Sequence, residues 1–110
     1  MNDTVRLTMA QALVAHLAAL RIEHDDGRLE PYCAGMWAIF GHGNVAGLGE
    51  ALAQHRAALP THRAHNEQAM AHAAIAFAKA SRRERMMACT TSIGPGATNM
   101  VTACALAHVN

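Results

Sequence analysis

Charged residues are scarce in this sequence: they make up 15% of its 110 residues, whereas hydrophobic residues make up 52%. A disordered chain carries far fewer apolar residues, so the composition indicates a folded chain, and the length indicates a single domain. So few charges leave little surface suited to water, which is typical of a subunit or of a part of a larger body. The net charge is +1 and the basic residues are scattered, so we predict no nucleic-acid partner.

Metal-type or disulfide-type cysteine spacing, a signal peptide and a membrane span are also missing. Cys33, Cys89 and Cys104 are isolated, which indicates buried thiols in a reducing compartment. The start, "MNDTVRLTMAQ", lacks the basic end and apolar core of a signal peptide. No apolar run approaches the ~20 residues that a membrane span requires. We therefore predict a soluble, cytoplasmic protein without a membrane partner.

What the sequence does contain is a helical pattern followed by three strand–helix units. "TMAQALVAHLAAL" predicts a helix from Met9 to about Arg21, and Thr8 with Gln11 fits a capping box. Its apolar face is predicted to carry Met9, Leu13, Leu17 and Leu20, with Ala10 and Val14 beside them. "EHDDGRLEP" is typical of a loop.

The three units give the fold class. The predicted strands are "MWAIF", "LPTHRA" and "RMMACTTS", and the predicted helices are "VAGLGEALAQHRAA", "NEQAMAHAAIAFAKAS" and "ATNMVTACALAHV". Alternating strands and helices with short connections predict an α/β fold: a three-layer, flavodoxin-like parallel sheet with strand order 2-1-3. Parallel sheets usually continue for several strands, so we expect the sheet to be truncated. We divide the chain into an N-terminal helix and loop (1–35) and three units of an incomplete domain (36–110).

Three polar or glycine-rich segments follow the predicted strands: "GHGN", "HNE" and "TSIGPG". We predict that the first is a tight turn and that all three lie at the carboxyl edge of the sheet. Ligands bind in open α/β sheets at this edge, where strand order reverses. For order 2-1-3 that point lies between strands one and three, so the two glycine-rich turns should face each other across a crevice.

A dinucleotide-binding site and a histidine metal site are two competing interpretations of this edge. Gly41, Gly43 and Ala46 match a loose dinucleotide pattern, G-x-G-x-x-A, but its companion acid is replaced by His62 and Arg63. The histidines form no i, i+4 pair with a glutamate of the kind a zinc helix uses, so we predict no metal site from them.

Glu67 is the residue that these patterns leave open. Asn66 is a good N-cap, and a carboxylate in a first helical turn is favoured by ~0.3–1 kcal/mol, so Glu67 has a purely structural interpretation. The segment behind it is almost all alanine, however, which indicates a helix buried on most sides with a charge at the edge of an apolar contact.

The segments "FGHGN", "NEQAMAHAAIAFAK" and "TTSIGPGATNM" together resemble the pyrimidine-binding domain of thiamine diphosphate-dependent enzymes. That family carries a glycine turn after strand one, Glu-Gln with an alanine-rich helix after strand two, and T-S-x-G-P-G-x-x-N after strand three. The similarity extends from about Trp37 to the end of the chain. The fuller string, with "RLTMAQALV", resembles the branch that hydrolyses a carbon–carbon bond of a cyclic 1,2-diketone in inositol breakdown.

The resemblance implies a role for each of these segments. Glu67 would be the catalytic residue, hydrogen-bonded to the N1′ nitrogen of the cofactor's aminopyrimidine. This hydrogen bond favours the imino tautomer, which removes a proton from the thiazolium carbon, and that carbon then attacks the substrate. We expect burial beside alanine and Met70 to raise the pKa of Glu67. The other cofactor-binding residues implied are Gly41, His42, Gly43, Asn44, Gly94, Pro95 and Gly96.

The resemblance also implies that a separate domain holds part of the cofactor. In this family a second domain with a Gly-Asp-Gly motif holds the diphosphate and Mg²⁺, and this chain has no such motif. We therefore expect an N-terminal fragment, inactive alone, whose site is completed by a second subunit in a homodimer or larger homo-oligomer acting on a small-molecule substrate. Acetolactate synthase-like members usually carry histidine before the glutamate, where this chain has Asn66. That branch, a Rossmann-type nucleotide-binding domain and a non-catalytic packing domain remain alternatives.

Overall fold

A computed structural model of the protein describes residues 3–110. The chain begins with a helix and a two-stranded hairpin, which precede the three strand–helix units. The elements are α1 (Met9–Ala19), β1 (Arg21–Glu23), β2 (Leu29–Pro31), β3 (Cys33–Ala38), α2 (Gly41–Asn44), a π-helical segment (Val45–Gly49), α3 (Glu50–Gln54), β4 (Thr61–His62), α4 (Glu67–Ala80), β5 (Met86–Thr90), α5 (Pro95–Asn99) and α6 (Val101–Val109).

The sheet has the predicted topology. β4, β3 and β5 are parallel and lie in the order β4-β3-β5, which is the order 2-1-3 of the three units. Trp37 in the central strand pairs with His62 on one side and Cys89 on the other. The predicted α/β class with a parallel sheet is therefore confirmed.

Helices cover the two faces of the sheet. On one side, α1, the π-helical segment and α3 pack together over β3, around a core that consists of Val14, Cys33, Met36, Ala38, Leu48, Ala51, Leu52 and Leu59. On the other side, α4 packs on β5 and β3 and contacts α6, where Met70, Ala71 and Ala103 are buried. The chain runs outward from β3 to β4 and then back across β3 to β5. Crossovers of the usual right hand place successive helices on opposite faces in this order.

The N-terminal helix α1 is capped as predicted, but the face that it turns toward the core differs from the predicted one. The Gln11 amide donates to Thr8 Oγ1 at 3.2 Å, and the Thr8 amide donates to Gln11 Oε1 at 2.9 Å, so the capping box is confirmed. Val14 is fully buried, whereas Met9 is 84% exposed and Leu13 45% exposed. The predicted apolar face was therefore wrong at those two residues, because α1 meets the core through Val14, with Ala10, Leu17 and Ala18 packed beside it.

Two local predictions were also wrong. The segment predicted as a loop contains the β1–β2 hairpin, whose turn is closed by Gly27 with a φ of +78°. "GHGN" forms the helix α2 rather than a tight turn: the chain reverses at Gly41, whose φ is +61°, and continues as a helix at once. The π-helical segment that follows contains the glycines at 47 and 49, which are weak helix formers.

Candidate active site at the carboxyl edge of the sheet

Glu67 is the first residue of α4, directly after the segment that follows β4. Asn66 caps the helix by accepting a hydrogen bond from the Ala69 amide at 2.9 Å, as its sequence position predicted. Among residues 3–110, Glu67 is the one charged residue whose side chain is buried, at 7% exposure. A first-turn carboxylate that served only the helix dipole would lie in water, so capping does not account for the burial of this one.

Ser92 holds the carboxylate. Its hydroxyl donates a hydrogen bond to Glu67 Oε1 at 2.9 Å. Ser92 follows β5, while Glu67 follows β4, so this bond joins the ends of the two outer strands across the central one. The contact therefore exists only because the sheet brings these segments to the same edge.

Two glycines make room for this pair. A Cβ at Gly96 would overlap Ser92 Oγ and Glu67 Oε1 and would lie 3.0 Å from Glu67 Cδ. A Cβ at Gly41 would lie 2.9 Å from Ser92 Cβ, and Gly41 has a positive φ as well. The two glycine-rich segments are therefore in direct contact through Ser92 at this point, where the sequence predicts a crevice between them.

The nearby hollow lies on the β4 side of β3. Its volume is about 420 Å³, and its walls are Ile39, Phe40, Gly41, Val45, Arg63, Ala64 and His65. The expected crevice lay between strands one and three, whereas this hollow borders strands one and two. Gly41 is shared between the hollow and the Ser92 contact.

The remaining predicted residues lie further from the carboxylate contact or in the solvent. His42 and Gly43 are exposed on α2, and Asn44 is half-buried. Asn44 lines a separate hollow of about 360 Å³ beside α1 and Thr90. Gly94 and Pro95 are exposed and lead into α5, where Pro95 occupies the favourable first turn. The structure thus brings together Gly41, Glu67 and Gly96.

Sequence reasoning missed the role of Ser92. The residue stands inside the "TTSIGPG" string that carries the family resemblance, but no spacing rule connects it with a glutamate 25 positions earlier. Only the adjacency of strand ends in the sheet makes that connection.

The pKa of Glu67 moves in the opposite direction to the one predicted. The hydrogen bond from its own backbone amide and the one from the Ser92 hydroxyl lower the pKa below its ordinary value of 4.5, and burial raises it by less. Weaker hydrogen bonds from the Asn99 side chain and the Ser92 amide act in the same direction as the first two. The prediction was wrong because it counted only desolvation, and not the donors that the fold supplies.

This lowered pKa predicts a pH dependence of stability. The ionised form of Glu67 favours the folded chain, so its stabilisation is complete above pH 4.5 and is lost as the pH falls through the lower pKa of the folded state. In urea titrations, Glu67→Gln should lose less stability than the wild type on acidification. Glu50→Gln, in the first turn of α3 and exposed, serves as the control. Equal acid sensitivity of wild type and Glu67→Gln would contradict the assignment.

Residues 3–110 lack the features of two other kinds of site. No group of three or more His, Cys, Asp or Glu side chains lies in an arrangement that could hold a metal ion. No helix in this range has the length and apolarity that crossing a bilayer requires.

Comparison with known proteins identifies relatives across almost the whole chain. The model of the family "Thiamine pyrophosphate enzyme, N-terminal TPP binding domain" matches residues 7–110. Proteins of Bacillus thuringiensis (strain Al Hakam), Bacillus cereus (strain AH820) and Bacillus anthracis are each 50% identical over 108 residues, which cover 98% of this chain. All three are named 3D-(3,5/4)-trihydroxycyclohexane-1,2-dione hydrolase. The chain spans 17% of the length of these relatives. No solved structure matches it.

Proposed function

The chain belongs to the thiamine pyrophosphate enzyme family, to its N-terminal TPP-binding domain, and from that premise we propose that it supplies the pyrimidine side of a thiamine diphosphate site. We propose further that the enzyme to which it contributes hydrolyses a carbon–carbon bond of a cyclic 1,2-diketone, the substrate class in the names of its relatives. The reaction would belong to the breakdown of inositol in the cytoplasm.

The observation that supports the proposal is the buried carboxylate of Glu67. A carboxyl group held at the carboxyl edge of a parallel sheet can meet one ring nitrogen of a heterocycle and exchange a proton with it. Its exposure is 7%, so water competes little for the same position. The residues present thus fit an aminopyrimidine.

Each residue near Glu67 would have a distinct task. Glu67 would hold a proton between its carboxyl oxygen and the ring nitrogen, and Ser92 would orient the carboxylate. Gly96 would leave the space beside the carboxylate free of a side chain, and Gly41 would leave room for Ser92. When bound, thiamine diphosphate supplies a carbon nucleophile for a substrate carbonyl.

The Mg²⁺ and diphosphate contacts are proposed to come from another part of the enzyme, contributed by a second subunit. This division makes a specific prediction for the 110-residue chain. Thiamine diphosphate should bind it weakly, with the same affinity in the presence and absence of Mg²⁺, because only the pyrimidine is held. Thiamine, which lacks the diphosphate, should bind about as well. Titration calorimetry with both ligands, with and without Mg²⁺, measures this.

The same titrations separate the proposal from its competitors. A nicotinamide dinucleotide serves as the control ligand and should give no binding heat; if it bound in place of thiamine, a Rossmann-type function would replace ours. Tight, Mg²⁺-dependent binding of thiamine diphosphate to this chain would refute the proposed division of the site.

A further inference from the structure

Ser92 is placed against Glu67 by three independent features of the structure. Its hydroxyl donates to Oε1 at 2.9 Å. The carboxylate that it contacts is buried. Gly96 and Gly41 flank the serine at positions where a Cβ would overlap it or press against it. A serine that merely filled space after β5 would require none of this clearance.

We propose that Ser92 is the positioning residue of Glu67: its hydroxyl fixes the carboxylate in one orientation and holds it in the ionised form until a ring nitrogen engages it. This inference rests on the proposed function, because the ring nitrogen is that of the aminopyrimidine. Ser92 acts through Glu67 and needs no contact of its own with the reacting atoms.

The proposal has a clear electrostatic basis. A hydroxyl that donates to an ionised carboxylate stabilises the charge, and charge-assisted bonds of this kind are about twice as strong as neutral ones. The groups that lower the pKa of Glu67 are its own amide at the start of α4, the hydroxyl and amide of Ser92 after β5, and the Asn99 side chain on α5. None of them titrates, so the protonation of Glu67 depends on its hydrogen bonds and its burial.

A consequence concerns the proton. The hydrogen bond between the carboxyl group and the ring nitrogen requires one shared proton. The carboxylate of the ligand-free chain carries no proton at neutral pH, so this proton must come from the solvent or arrive with the ligand. Above the pKa of Glu67, pyrimidine binding is then coupled to proton uptake, and its affinity should fall as the pH rises. The Glu67 amide and the Ser92 hydroxyl both lower that pKa, so they shift the start of the fall to lower pH.

The first test requires no cofactor. In the ligand-free chain, the pKa of Glu67 is measured by NMR from the pH dependence of its side-chain carboxyl carbon. Ser92→Ala should raise the pKa, while Ser92→Thr, which retains a hydroxyl, should leave it near the wild-type value. Ser81→Ala, at the opposite end of α4, is the matched control and should change nothing.

A second variant keeps the test decisive if Ser92→Ala does not fold. In Gly96→Ala the added methyl group pushes Ser92 Oγ and Glu67 Oε1 apart while both side chains remain, so the pKa should rise here as well. An unchanged pKa in Ser92→Ala, or in Gly96→Ala where that variant must stand in for it, overturns the proposal. A rise in Ser92→Thr as large as in Ser92→Ala also overturns it, because shape and not the hydroxyl would then be responsible.

The second test separates this proposal from the proposed function. The affinity for thiamine diphosphate is measured from about pH 4 to pH 8. In the wild type the affinity should fall with rising pH, and in Ser92→Ala the fall should begin at a higher pH. If Ser92→Ala raises the pKa of Glu67 but no variant binds thiamine, the contact between the two side chains stands and the proposed function fails. If thiamine binds with no pH dependence in either protein, the positioning role fails and the proposed function stands.

Discussion

Replacing Glu67 with glutamine should slow exchange of the thiazolium C2 proton by roughly 10²–10⁴-fold in the thiamine diphosphate enzyme that we propose contains this chain, the usual contribution of a positioned acid or base. The amide is isosteric and its oxygen can still accept from Ser92, so the folded structure should persist. It cannot exchange a proton with the ring nitrogen, so the chemical step should suffer far more than binding. Quenched-flow hydrogen–deuterium exchange measures the C2 rate directly.

The control for this experiment is Glu50→Gln, which makes the same chemical change at an exposed first-turn glutamate on α3. It should leave the exchange rate at the wild-type value. A C2 exchange rate in Glu67→Gln equal to that of the wild type would remove Glu67 from the mechanism and, with it, the main support for the proposed function.

The second large effect is expected on the outer face of α4, which we propose contacts a second copy of this chain. Alanines at the spacing of one helical face form an outer stripe: Ala69, Ala73, Ala76 and Ala80. Ala69, Ala76 and Ala80 are exposed and Ala73 is half-buried, so the predicted burial of this helix on most sides is wrong for the chain by itself. A water-facing helix surface of this kind usually carries charged side chains.

Ala76→Leu should therefore weaken self-association while leaving the fold of each chain intact. Overpacking a tight contact costs about 1–3 kcal/mol, which corresponds to roughly 5–150-fold in the association constant. Sedimentation equilibrium measures the association, and thermal unfolding monitors the fold. Ala53→Leu, at an exposed position on α3, is the control. Unchanged association for both Ala73→Leu and Ala76→Leu would place the interface elsewhere.

Ala74 illustrates why a helix face cannot be assigned from composition. All alanines of α4 are equivalent in the sequence pattern. In the structure, Ala74 lines an apolar hollow of about 200 Å³ with residues of β5 and α6, while Ala76 faces outward. The rotation of the helix about its axis is fixed by Met70 and Ala71, which pack toward the sheet. That rotation is decided by tertiary packing.

The hairpin after α1 shows a second limit. Asp-Gly in "EHDDGRLEP" is a turn signal, but the flanking strands are three residues each and carry polar side chains. Strands this short have too little periodicity to be detected, and pairing with each other is what defines them. The sequence predicts a strand within "LPTHRA", and the structure forms only the two residues Thr61–His62 of it as β4.

The sequence by itself determined the α/β class, the parallel sheet order, the Thr8 capping box and the Asn66 cap, because these depend on alternation, short connections and local hydrogen bonds. It also predicted Glu67, Gly41 and Gly96 as site residues. The pKa of Glu67 is lowered first by its own backbone amide and then by the Ser92 hydroxyl, and only the tertiary structure placed that hydroxyl on the carboxylate. The reason is physical: desolvation can be inferred from neighbours along the chain, but hydrogen-bond donors that arrive from another strand are known only once the strand ends share an edge.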